Sequence, residues 1–273
     1  MTEEQAYQSI LNKVRDIVRY DCTQYKEKCL RRRLTVRMRA HHVTTFEDYL
    51  EILERNPNEF QELKRVLTIN VSRFFRNKSV FDYIFQHLMP DIMEQKRRSR
   101  SRCLRFWSAG CAGGEEPYSL AIMLHQFYPY VFSRYDLSIV GTDIDEESLQ
   151  RARTGVYDDM AMEEVPAEWI DRYFEGKKQY RLIPTIKEKV TFQILDLVQD
   201  AALEPCDLIL CRNVMIYFGR ELQEKVFNKL ANALLPGGYI VLGKTETTIG
   251  FHTEPFIKSV NLRERIYQRQ DHR

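Results

Sequence analysis

The stretch FWSAGCAGGEEPYSLAIML, Phe106–Leu124, decides the fold. An apolar, aromatic run gives way to small residues, then to two adjacent acids and a proline. An apolar pattern at helical spacing follows. This reads as a strand, a glycine-rich turn and a helix with Pro117 in its first turn. Such turns often cradle phosphate at a helix N-terminus. Here Glu115 and Glu116 stand where a phosphate would sit, and like charge excludes it. No lysine or hydroxyl follows the glycines as a P-loop requires, and the strict G-x-G-x-x-G spacing is missed. The turn suits a ligand that is cationic, or that presents amine and hydroxyl donors.

The rhythm around the turn supports a parallel sheet. Further strands are read in YDLSIVGTDID, VTFQILDL, CDLILCRN and YIVLGKTE, with helices in EESLQRARTGVY and RELQEKVFNKLANALLPGG. FIKSVNLRERIYQRQ reads as a final strand pair. Alternating strands and helices imply an α/β domain with right-handed crossovers, which binds ligands at the carboxyl ends of its strands. The informative residues fall at those ends: Gly110 to Glu116, Asp143, Asp196, and Arg212 with Asn213. A carboxylate at the end of the second strand, Asp143, suits the two hydroxyls of a ribose. A nucleoside carrying positive charge and no phosphate meets these constraints, and S-adenosylmethionine is such a molecule.

Upstream the chain reads as all-helical. EQAYQSILNKVRDIVRYD, TTFEDYLEILERN and NEFQELKRVLTIN carry helical spacing, the second with a cap at Thr44 or Thr45. EQKRRSRSR, residues 94–102, reads as a polar surface connection. Between the first two helices lies YKEKCLRRRLTVRMRAHH, with seven Lys and Arg against one acid. Leu30, Leu34 and Met38 form one buried stripe. At about 100° per residue, Arg32 and Arg39 project away from it and Arg31, Arg33 and Arg37 flank it. The plain reading is a solvated face. The alternatives are docking of an acidic helix or of nucleic acid, the latter weakened by the lack of interleaved aromatics.

The net charge of +2 confines any basic function to such local patches. No run approaches the roughly 18 apolar residues of a membrane span, and the N-terminus lacks a signal-peptide core. Six cysteines without a CxxC pair, and histidines away from zinc-ligand spacing, read as reduced thiols in a cytoplasmic protein without a metal.

Four segments together carry a resemblance: LTINVSRFFRN (Leu67–Asn77), FWSAGCAGGEEPYSLAI, GTDIDEESLQRARTGVY and CRNVMIYF (Cys211–Phe218). With them the whole chain resembles the chemotaxis receptor methyltransferases, the CheR family. The resemblance implies a small all-α N-terminal domain, residues 1–76. A Rossmann-like class I methyltransferase domain follows, residues 77–273, with a small β insertion at about 172–192. The implied activity is transfer of a methyl group from S-adenosylmethionine to receptor glutamates. Glutamate methyl esters form, for sensory adaptation.

Carried over by position, Asn70, Ser72 and Arg76 are expected to close over the cofactor, and Glu116 and Asp143 to contact it. Ser72 stands where the family usually has Thr. Asp196 and Leu197 are expected to flank the adenine, Arg212 and Asn213 to line the site, and Tyr217 to lie near the transferred methyl. Arg76 and Tyr217 are the expected catalytic pair, orienting the substrate carboxylate. Arg33, Arg37 and Arg39 are expected to dock the glutamate-rich helical region of the receptor. Some relatives bind a receptor C-terminal tail on the edge of the β insertion; the short turn at Gly176 argues against that here. Two further classes are open: a nucleic-acid methyltransferase, against which RNVMIYF lacks the expected prolines, and a non-enzymatic cofactor sensor or scaffold.

Overall fold

The computed structural model describes residues 1–18, 20–23, 25–68, 72–252 and 257–270. The chain divides into two units: Met1–Ile69 with Tyr217–Leu222, and Asn70–Ile216 with Gln223–Arg273. The division falls earlier than the expected border after residue 76, and it assigns Tyr217–Leu222 to the helical unit.

That unit contains α1 (Glu3–Val18), α2 (Glu27–Ala40), α3 (Phe46–Arg55) and α4 (Glu59–Leu67). The apolar stripes drive its formation: Tyr7, Ile10, Leu11 and Val14 of α1, and Leu30, Leu34 and Met38 of α2, are buried. Each such side chain is worth roughly 1.5–3 kcal/mol. The Thr45 hydroxyl accepts from the Asp48 N–H at 3.1 Å and starts α3. The same helix stops at Arg55, just before Asn56-Pro57, where the proline ring disfavours helical backbone.

Arg33 and Arg37 do not flank the stripe passively. Arg33 is 7% exposed and donates to the carbonyls of Val66 and Leu67. Its guanidinium carbon lies 5.1 Å from the centre of the Tyr217 ring. Arg37 grips Glu59 through two bonds of 2.8 and 2.7 Å. Glu59 also accepts from the Tyr49 hydroxyl at 2.7 Å and lies 2.9 Å from His41 Nε2. The segment Tyr217–Leu222 joins this unit through the Lys26 N–H, 2.8 Å from the Tyr217 carbonyl, and through the Tyr25 and Phe218 rings.

The second unit opens with α5 (Lys78–Tyr83), a π-helical turn (Ile84–Leu88) and α6 (Met89–Ser99). Pro90 explains the irregular turn, because in an ideal helix its ring would clash with the Gln86 carbonyl. The expected surface connection at residues 94–102 is therefore mostly helix. Arg97 and Arg98 pair with Glu94, and Lys96 is buried against Asp207 at 2.6 Å. Those pairs at i,i+3 and i,i+4 stabilise a helix that composition alone reads as a loop.

Then follow β1 (Cys103–Ala109), α7 (Glu115–Phe127), α8 (Val131–Arg134), β2 (Asp136–Asp143), α9 (Glu146–Thr154), β3 (Val156–Tyr157), α10 (Ala167–Tyr173), β4 (Phe174–Glu175) and β5 (Tyr180–Leu182). The chain continues through α11 (Pro184–Lys187), β6 (Val190–Ile194), β7 (Cys206–Cys211), a 3-10 turn (Met215–Tyr217), α12 (Arg220–Asn232), β8 (Leu234–Leu242), β9 (Ile257–Asn261) and β10 (Ile266–Arg269). The seven-stranded sheet has the order β6-β2-β1-β7-β8-β10-β9. Its first five strands run parallel, and β10 is antiparallel to both neighbours. Strand order reverses between β1 and β7, which opens a crevice at their carboxyl ends. β3, β5 and β4 form a separate antiparallel sheet, with Gly176 in its hairpin at φ 92°.

Candidate cofactor site at the carboxyl edge of the sheet

The turn after β1 is held by its neighbours. Gly110 N and Cys111 N donate to the Thr142 carbonyl at 2.7 and 2.9 Å. Gly110 has φ 79°, and a Cβ there would meet Val214 Cγ2 at 2.3 Å, so only glycine lets the loop after β7 approach. Asp143, 8% exposed, accepts from Ala112 N at 2.9 Å through one oxygen and from Asp145 N at 3.0 Å through the other. It thereby ties β2 to the turn, and each oxygen keeps a lone pair for a hydroxyl donor. Burial raises its pKa above the ordinary carboxylate value, against the pull of those N–H groups. Burial also pushes the Cys111 thiol well up, and the charges of Asp143, Glu116 and Glu115 add to this. It stays protonated and serves as packing.

Glu116 and Arg212 form the frame beneath the turn. Glu116 accepts from Ser108 Oγ at 2.7 Å and from Arg212 Nη1 at 3.0 Å. Arg212 Nη2 donates to the Arg76 carbonyl at 2.7 Å and to Asn77 Oδ1 at 3.0 Å. With its side chain 2% exposed, Arg212 braces β7, α7 and the segment before α5 against one another. Its two terminal nitrogens are spent on the protein while its Nε has no hydrogen-bond partner, and it neutralises Glu116 from below.

The segment 72–77 crosses the first turn of α7. Ser72 stands close enough to the Glu115 carboxylate to lower its pKa. Phe75 N donates to Ser119 Oγ at 2.9 Å, and that hydroxyl donates to the Glu115 carbonyl at 2.6 Å. Ser72 thus lies beside Glu115, while Arg76 meets Arg212 through its backbone carbonyl; Asn70 lies outside the described residues. Glu115 is 8% exposed, and its Oε2 has no hydrogen-bond partner. Burial pushes its carboxyl up to about 7, despite its own N–H, Arg151 and Ser72.

Beyond β6, Asp196 is half-buried and accepts from Val198 N at 2.7 Å; Leu197 is buried, and its carbonyl takes Lys229 Nζ at 2.8 Å. Beyond β7, Asn213 adopts φ 64°. Its N–H donates at 3.0 Å to Glu246, which also takes the Gly243 N–H at 2.5 Å. Glu246 is 4% exposed and follows β8 at the same edge of the sheet. Sequence reading passed over it, and also over the partnerless oxygen of Glu115. The signal for Glu246 was available: an acid in GKTE, just past a strand end.

Tyr217, Arg33, Arg37 and Arg39 fall in the helical unit. Arg33 and Arg37 face inward there, while Arg39 and Arg32 are exposed. Of the three arginines expected to dock a receptor, only Arg39 is presented to solvent without an internal partner among the described residues.

The carboxyl edge therefore carries Glu115, Glu116, Asp143, Asp196 and Glu246, with one buried arginine already committed. This donor set fits a cation bearing amine and hydroxyl groups and repels phosphate. Residues and expected ligand agree: the Asp143 oxygens suit a ribose, the Asp196 carboxylate an exocyclic amine, and the open oxygen of Glu115 a cationic or protic group. Among the described residues no cluster of His, Cys, Asp and Glu is arranged to hold a metal, and no helix is long and apolar enough to cross a membrane. A cavity of about 580 Å³ lies elsewhere, among α5, the end of α7 and the start of α10. Apart from Phe75 and Lys78, which adjoin Arg76 and Asn77, its lining is separate from this edge.

Comparison with known proteins agrees with the geometry. A family model described as the CheR methyltransferase SAM binding domain matches residues 70–263, and one described as the CheR methyltransferase all-alpha domain matches residues 5–68. A chemotaxis protein methyltransferase of Listeria innocua is 35% identical over 227 residues, covering 83% of this chain and 84% of that protein. One from Borreliella burgdorferi is 30% identical and covers 84% and 83%. Chemotaxis protein methyltransferase 2 of Pseudomonas aeruginosa is 30% identical over 93% of this chain and 90% of its own length.

Proposed function

Because the chain belongs to the CheR methyltransferase family, a group of S-adenosylmethionine-dependent chemotaxis methyltransferases, we propose that its acceptors are glutamate side chains of chemotaxis receptors. The observation that carries this reading is the acidic carboxyl edge. It is built to receive a cationic nucleoside, and the proposed transfer asks no nucleophile or catalytic base of it.

The chemistry asks little else of the chain. S-adenosylmethionine, when bound, supplies a methyl group activated by its sulfonium. A glutamate side chain with a pKa near ~4.3 is already ionised at pH 7, so no residue has to remove a proton. Asp143 holds the ribose, Asp196 accepts from the adenine amine, and Leu197 covers the ring. Glu116, fixed by Ser108 and neutralised by Arg212, contacts the cofactor as a positioned acceptor through its remaining lone pairs. Arg76 and Tyr217 orient the substrate carboxylate; their work is alignment and exclusion of water.

Receptor docking rests on the exposed arginines of α2, Arg39 and Arg32, against the acidic receptor helix. Arg33 and Arg37 support that face from inside. A receptor C-terminal tail is not part of the proposal. β4 is two residues long, and such an edge offers few backbone groups for strand addition. The cysteines form no disulfide among the described residues, and the proposed work lies on the cytoplasmic side. No nucleic-acid partner and no metal is invoked.

The test is incubation with methyl-labelled S-adenosylmethionine and receptor cytoplasmic fragments. Base-labile label on the receptor is expected, lost when its glutamates are changed to alanine. Base-stable label, or label on nucleic acid alone, would sink the glutamate reading.

A further inference from the structure

The cavity among α5, α7 and α10 has the size of a small-molecule site. Its walls are aromatic. Phe75, Phe81, Phe127 and Trp169 meet edge to face, with ring centres 5.2 Å apart for Phe75 and Trp169 and 5.8 Å for Phe75 and Phe81. Phe127 is 53% exposed, a large apolar ring left at the mouth. The backbone here is irregular in two independent ways. The π turn Ile84–Leu88 contributes Phe85 and Gln86 to the lining, and Phe75 holds φ 54°. Pro90 accounts for the first; the second, a positive φ at a bulky residue, is strain of the kind that clusters at ligand sites.

The charges at the mouth select the sign of an occupant. Lys78 Nζ lies 2.7 Å from both oxygens of Asp82, so that pair cancels. Glu164 and Glu168 remain, and among the described residues no cation pairs with either. Aromatic faces carry negative potential and attract cations in the same direction. The wall already does so from behind: the Arg212 guanidinium carbon sits 5.5 Å from the centre of the Phe81 ring.

We propose that this cavity binds a small organic cation, an ammonium group carried on an aromatic or alkyl body, and that its occupancy is coupled to the carboxyl edge. The coupling half rests on the reading of that edge as the cofactor site; the binding half does not. The two sites share a wall. The Phe75 N–H reaches the backbone carbonyl of Glu115, in the first turn of α7, through the Ser119 hydroxyl. Asn77 donates its N–H to Glu164 and accepts from Arg212 through its side chain, and Arg212 holds Glu116. A ligand seated against Phe75 and Phe81 therefore bears on the first turn of α7 and on the Arg212 frame that holds Glu116.

Trp169 supplies the readout. The chain has two tryptophans, and Trp107 is fully buried in the sheet with its N–H on Thr142, so a fluorescence change reports the cavity. The probes are 3-phenylpropyltrimethylammonium, neutral 3-phenylpropanol and anionic 3-phenylpropionate. The cation is expected to saturate the signal and to bind at least about fivefold tighter than either comparator. Glu164→Gln with Glu168→Gln should cut that preference to about twofold or less. Equal binding of all three probes, or no saturable response to the cation, overturns the site. Saturating cation should also shift S-adenosylmethionine affinity by about fivefold, with the reciprocal shift equal, as linkage requires. Cation binding without any shift overturns the coupling. A wild-type protein that takes the cation but no S-adenosylmethionine refutes the cofactor reading, and the coupling with it, and leaves the cation site standing.

Discussion

Two buried carboxylates, one in each unit, have opposite surroundings. Glu59 in the helical unit is 2% exposed and surrounded by Arg37, Tyr49 and His41. Burial alone raises its pKa, but those partners outweigh it and bring the carboxyl down to about 2. Glu115, at the turn after β1, is almost as buried, has an oxygen without a partner, and is pushed up to about 7. An acid whose task is structural is satisfied within the chain. An acid at a binding edge is left incomplete, at a cost in stability, and a ligand can complete it.

The largest effect that can break this contrast is on Glu59. Glu59→Ala leaves Arg37 and Tyr49 without their acceptor, and stability should fall by about 3–5 kcal/mol. Urea unfolding measures it. A loss under 1 kcal/mol would show that the cluster is not what holds α2, α3 and α4 together. Because the folded pKa lies below the value of 4.5 for a free glutamate, this contribution is present above about pH 4.5 and is lost as pH falls through 2.

Glu115 should show the reverse dependence. The folded state keeps a proton that the unfolded chain releases between pH 4.5 and about 7. Its contribution is complete below pH 4.5, is lost as pH rises through 7, and amounts to about 3 kcal/mol. Glu115→Gln should flatten that part of the stability profile between pH 5 and 8 and raise Tm at pH 8. An unchanged profile would mean that Glu115 is ionised and already partnered.

A smaller effect sharpens the role of the neighbouring acid. Asp143→Asn keeps the shape but removes the charged acceptor, and S-adenosylmethionine binding should weaken roughly tenfold to a hundredfold, about 1.4–2.8 kcal/mol. Calorimetry with unchanged affinity would take Asp143 out of the ribose site. The smallest effect belongs to the exposed face of α2. Arg32→Glu with Arg39→Glu should raise the receptor KM a few-fold, leave cofactor affinity alone and reduce the salt sensitivity of receptor binding. Wild-type kinetics in the double variant would return that face to the status of a solvated surface.

The sequence by itself determined the architecture and most of the edge. Strand-to-helix alternation, the small residues of Gly110–Gly114, Glu115 and Glu116 after them, and Asp143 at the next strand end are local patterns, and local patterns survive in one dimension. Three things were decided only by the tertiary structure. Arg33 and Arg37 sit beside the apolar stripe of α2, and helical periodicity cannot say whether a flanking arginine meets solvent, the Val66 and Leu67 carbonyls or Glu59. Glu246 acts on Asn213 across thirty-three residues, because β7 and β8 pair in parallel and bring their carboxyl ends together. Tyr217 falls with the helices of the first unit although it follows directly from the loop after β7. In each case the partner is remote in the chain, and the pairing exists only once packing has brought the two segments together. The physical reason is that hydrophobic period and turn chemistry are properties of neighbours in sequence. The state of a buried charge is a property of whatever the fold places around it.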